Sequence, residues 1–142
     1  MYYKVVNRIL NTYGGSEEFH SAVVYKYTCS IQYEIGKWIK PGDGSKIFVF
    51  NDLELAKKFL NVEQRTFNTC KDLCIFECSV KNPIKVEHVA YVGDNDIRCF
   101  WRIWSKFKNK HKKINLDSIN YLTNAPQGTF LVSQVKLTKQ VF

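Results

Sequence analysis

The chain has 142 residues, 45% of them hydrophobic and 15% aromatic, with a formal net charge of +8. Such a length and composition suit one globular domain spanning residues 1–142 and argue against disorder or a small scaffold dependent on disulfides. No apolar run reaches the roughly 18 residues that span a bilayer, and Met1-Tyr2-Tyr3-Lys4 does not open a secretory signal. The expected location is therefore the cytoplasm.

Taken in order, Tyr2–Leu10 is rich in β-formers and predicts an opening strand. Gly14-Gly15 marks a turn, and Phe19–Lys26 predicts a short strand or helical turn. In Tyr27–Trp38 the set Cys29, Ile31, Tyr33 and Ile35 alternates with polar residues, the period of a half-buried strand, until Gly36 interrupts it. Pro41-Gly42-Asp43-Gly44 is a turn and Ile47–Phe50 an internal strand. A helix is expected over Asp52–Leu60, capped by Asn51 or Asp52; with Asn51 as cap, Glu54 completes a capping box. Leu53, Ala56, Phe59 and Leu60 share its apolar face.

Asn61–Asp72 is polar and predicts a loop. Leu73–Val80 alternates as a strand that ends at Asn82-Pro83, and Ile84 to about Val92 predicts another. A turn at Gly93–Asp96 follows. Residues 115–125 predict a short helix after Asp117, Pro126-Gln127-Gly128 a turn, and Thr129–Val141 a closing strand or hairpin arm. Many short strands with one or two packed helices make an α+β domain built on a mainly antiparallel sheet.

The cysteines are Cys29, Cys70, Cys74, Cys78 and Cys99. An odd number argues against a disulfide framework. Cys70, Cys74 and Cys78 lack the close pairing on turns usual for zinc ligands, and strand alternation points Cys74 and Cys78 the same way as Phe76. Buried free thiols are expected, with no metal and no cofactor.

Charge is concentrated in one segment. Arg98, Arg102, Lys106, Lys108, Lys110, Lys112 and Lys113 occur without an acid among them, +7 of the formal +8, which leaves +1 for the rest. Phe100, Trp101, Ile103, Trp104 and Phe107 interleave with them. A helix over about 97–108, the preferred expectation, gathers Ile97, Phe100, Trp101, Trp104 and Phe107 on one face; a strand would instead alternate Ile97, Cys99, Trp101 and Ile103 with Arg98, Phe100, Arg102 and Trp104. Cations that neutralise phosphates beside aromatic faces that stack on bases suggest nucleic acid as partner, and an acidic host protein as the next. A solvated outer face on a core helix has the same pattern.

Signatures for catalysis are incomplete. Gly42-x-Gly44 lacks the third glycine and the Lys-Ser or Lys-Thr of a phosphate loop, and no residues are assigned a catalytic role. His20 and Ser21, with Tyr33 and Trp38, are candidate pocket residues if the fold brings them together.

Tyr33-x-x-Gly36-Lys37-Trp38, Phe48-Val49-Phe50, Ala56-x-x-Phe59 and the ending Pro126-x-Gly128-Thr129 with Val135-x-Leu137 resemble a pattern in small uncharacterised phage and bacterial accessory proteins. The Lys-, Asn- and Ile-rich usage fits an AT-rich genome of that kind. The order strand, Ala-containing helix, strand is also similar to ADP-ribosyltransferase-like folds. That second resemblance implies a nicotinamide dinucleotide pocket with an Arg or His on an early strand, a Ser or Tyr on a second, and a late Glu. Tyr3-Lys4-Val5 stands where Tyr-His/Arg-Gly is expected, and Phe130–Leu137 carries no Glu. It therefore implies a degenerate binding site.

Overall fold

A computed structural model of the chain describes residues 1–10, 13–22, 31–42, 46–66, 72–90 and 122–142. Its strands are β1 (Tyr2–Leu10), β2 (Glu17–Ser21), β3 (Gln32–Tyr33), β4 (Trp38–Ile39), β5 (Ile47–Phe50), β6 (Leu73–Lys81), β7 (Ile84–Lys85), β8 (His88–Ala90), β9 (Leu122–Asn124), β10 (Thr129–Val132) and β11 (Gln134–Gln140). One helix, α1 (Leu53–Thr66), lies among the described residues. The expected α+β architecture on an antiparallel sheet is present: a nine-stranded sheet runs β4-β11-β6-β1-β5-β10-β7, with β2 paired to β1 and β3 to β2. β8 and β9 form a separate pair.

Strand alternation sorts the core onto the two faces of this sheet. On one face, α1 sets Ala56 and Leu60 against Val5, Phe50, Leu73 and Ile75. On the other, Val6, Phe19, Tyr33, Cys74, Phe76, Cys78, Val135 and Leu137 form the larger cluster. Cys74 and Cys78 are thus free thiols in the core, on the side that the alternation of Leu73–Val80 predicts. Burial pushes Cys74 up to about 11, against the pull of Arg8, and Cys78 up to about 12, against Lys4 and the N-terminus.

Several sequence expectations are corrected. The alternating stretch before Trp38 is not one strand. β3 and β4 are separate, and the turn between them contains Gly36 at φ 80°. That left-handed conformation suits glycine, and the Gly36 amide donates to Leu137 O at 2.8 Å, tying the turn to β11. Ile35 is consequently exposed. The helix outlasts its expected end and runs to Thr66, since residues 61–66 hold no proline or glycine to stop it; Glu63 lies buried on the side of Ala56 and Leu60. Its cap is Asp52, whose Oδ1 accepts from the Leu55 amide at 3.0 Å.

The expected strand from Ile84 splits into β7 on the main sheet and β8 on the small one. Leu122–Asn124, within the stretch expected to hold a short helix, is strand. The closing segment also splits. Ser133 breaks it, so β10 pairs with β5 while β11 pairs with β6. Gly128, at φ 82°, lets the turn before β10 pass α1, where a Cβ would stand 2.6 Å from Leu55 Cδ1. Among the described residues no helix is long and apolar enough to cross a membrane.

Candidate functional site

The four pocket candidates from the sequence separate into three places. Tyr33 pairs with Phe19 across β2 and β3 and is buried in the larger core cluster. Ser21 lies two residues from Phe19, so it shares that face; its hydroxyl hydrogen-bonds the Tyr33 hydroxyl and accepts from the Ile31 amide at 2.9 Å. His20 alternates to the opposite face of β2, where Nε2 lies 3.0 Å from Glu18 Oε2. Trp38 is on β4, at the far edge of the sheet, and is 40% exposed. Ser21 and Tyr33 therefore converge, whereas His20 and Trp38 do not join them.

The convergence includes a residue the sequence reading left out. Lys4 lies on the same face of β1 as Val6, since both positions alternate together. It is only 8% exposed. Its ammonium donates to Phe48 O at 2.8 Å and sits 5.5 Å from the Tyr33 ring centroid. The topology explains how its side chain reaches that carbonyl. One edge of β1 pairs with β5 at Tyr3↔Phe50, then with β2 from Val6↔Ser21 onward. Between those pairs the two neighbours part, and Lys4 reaches across the fork to the Phe48 carbonyl. Burial lowers the Lys4 pKa to about 8, a weaker attraction to Cys78 acting the other way. Burial likewise raises that of Tyr33, which the Ser21 hydrogen bond partly offsets. One sequence signal for Lys4 is its position: a lone cation inside Tyr2-Tyr3-Lys4-Val5-Val6.

Trp38 belongs to a second, open constellation. Ile39 packs into the larger core cluster, so Trp38 points to the face that carries α1. The helix covers that face over Leu73 and Ile75 and leaves Ser79 and Lys81 of β6 exposed. Trp38 pairs with Lys136 of β11, and Lys136 with Ser79 of β6. The Lys81 ammonium lies 4.6 Å and the Lys136 ammonium 5.2 Å from the Trp38 ring centroid. The end of β6 is pinned: Ser133 donates from both its amide and its hydroxyl to Lys81 O, at 2.9 and 3.1 Å, and Asn82 Nδ2 donates to Ser133 Oγ at 2.9 Å. Three strands thereby set two cations around one indole. Lys136 was legible as the polar member between Val135 and Leu137; its meeting with Lys81 and Trp38 required the strand order.

Arg98, Arg102, Lys106, Lys108, Lys110, Lys112 and Lys113 lie outside the described residues, as does the choice of helix or strand for 97–108. No protein-family model matches the chain, nor does any curated protein or solved structure.

Proposed function

We propose that this protein is a small intracellular accessory protein, of phage or bacterial type, that works as a binding module for nucleic acid through a basic aromatic surface. The observation that carries the reading is the exposed Trp38 with the Lys81 and Lys136 ammonium groups 4.6 and 5.2 Å from its ring. Lysines neutralise phosphates and release counterions, while an indole offers a flat face to a base. The basic run Arg98–Lys113 supplies seven more cations to the same polyanion. An acidic protein is the competing partner.

The test is retardation of labelled DNA and RNA at low salt. Binding is expected to weaken steeply as salt rises, and Lys110→Glu with Lys112→Glu to weaken it evenly across sequences. No retardation of any nucleic acid at low salt would end this reading.

A further inference from the structure

The open face around Trp38 carries an aromatic ring among polar strand neighbours. Ser79, Gln134 and Lys136 lie beside it on β6 and β11. Both lysines are near the same ring, and among the described residues no carboxylate forms a salt bridge with either ammonium. Two like charges held around one indole repel each other. An anion placed between them relieves that repulsion, and a flat group on the ring replaces the contact that an ammonium gives up.

A nucleotide provides both parts, its phosphate joined to a planar base. In a duplex the bases are already stacked on each other and present only their edges in the grooves. A ring lying on a sheet surface gains nothing from them. An unpaired base offers its whole face, and stacking of that kind tolerates any base. A membrane surface fits less well, because the strand neighbours of the ring are polar and charged, and its insertion into lipid would carry Lys136 and Ser79 with it.

We infer that Trp38, Lys81 and Lys136 form a stacking platform for single-stranded nucleic acid, with one base on the indole and the adjoining phosphates on the two ammonium groups. This inference rests on the nucleic-acid reading above and narrows it to unpaired strands.

The experiment compares a fluorescent oligo-dT 12-mer, an abasic 12-mer of equal charge and a 12-base-pair duplex by anisotropy at one fixed low salt concentration. The native chain is expected to bind oligo-dT more tightly than the abasic strand or the duplex. Trp38→Ala should weaken oligo-dT binding by about 5- to 150-fold and leave the abasic strand nearly unchanged. Trp38→Phe, which keeps a ring and guards against a folding defect, should retain most of the preference. If all three probes bind but Trp38→Ala has no effect on oligo-dT, or if the duplex binds as tightly as oligo-dT, the platform is wrong while the nucleic-acid reading stands. If none binds, both fall. Binding only to anionic phosphatidylserine vesicles, or only to a polyglutamate peptide, overturns both in favour of a lipid or an acidic protein.

Discussion

Lys4 and Lys136 each sit in a strand between apolar neighbours, and the fold treats them in opposite ways. At the fork of β1, Lys4 is turned inward, where its ammonium holds the Phe48 carbonyl beside Tyr33. On β11, Lys136 is turned outward beside Trp38. The aromatic partners differ in the same sense: Tyr33 is 3% exposed and Trp38 40%. A cation next to an aromatic ring is thus a packing device in one place and an open surface in the other. What separates them is whether the neighbouring strands close over the pair. β2 and β3 bring Phe19 and Tyr33 onto the Lys4 side, whereas α1 stops short of Trp38.

The largest effect expected from this contrast is on stability. Tyr33→Ala removes a buried ring and its hydrogen bond to Ser21, and should cost about 3–5 kcal/mol in urea unfolding. Trp38→Ala removes a partly exposed ring and two cation–π contacts, and should cost about 1–2 kcal/mol. Equal losses would mean that the outer ring is as structural as the inner one.

The next effect is confined to the fork and appears with pH. Lys4 releases its proton near 10.5 in the unfolded chain and near 8 in the fold. Between those values the unfolded state binds the extra proton, so the Lys4 contribution to stability rises with pH. Below pH 8 both states are protonated and the full cost of the buried charge is present. Cys74 and Cys78 act the other way: their raised folded pKa values, about 11 and 12, mean that the unfolded chain loses thiol protons first, lowering stability as pH climbs past 9. Comparison with Lys4→Met isolates the lysine. The stability of the native chain relative to that variant should increase by about 3 kcal/mol from pH 8 to pH 10.5. A flat difference would show Lys4 to be solvated rather than buried.

What the sequence revealed depended on whether the signal was local. The strand Leu73–Lys81 and the inward side of Cys74 and Cys78 follow from alternation alone, and the helix start from Asp52 and the apolar stripe behind it. The break between β3 and β4 was hidden because Ile31, Tyr33 and Ile35 keep a period of two through a turn that bends only at Gly36. The split of β10 from β11 at Ser133 was hidden for the same reason, since Phe130 to Leu137 remains β-prone throughout. Site residues fared similarly. Ser21 and Tyr33 were singled out as types that carry chemistry, and a hydrogen bond joins them. Lys4, Lys81 and Lys136 were passed over, because the role of each comes from a strand neighbour more than forty residues away in sequence.

The smallest effect on stability is expected at the open site, and there it accompanies a clear effect on binding. Lys81→Glu with Lys136→Glu changes the side chains of an exposed and a half-buried lysine, whose strand pairing, like the Ser133 clamp on Lys81 O, uses main-chain atoms that the substitution leaves in place. Unfolding free energy should therefore move by about 1 kcal/mol or less. If the two ammonium groups hold phosphates of a single strand, the double variant should bind oligo-dT more weakly. The slope of log affinity against log salt should also become shallower by about 1.4, since each phosphate contact contributes about 0.7 on single strands. An unchanged slope with weaker binding would mean that the two lysines act only through the Trp38 ring. An unchanged slope and affinity would leave phosphate contact to Arg98–Lys113 alone and reduce the open constellation to a second packing device, erasing its difference from the fork.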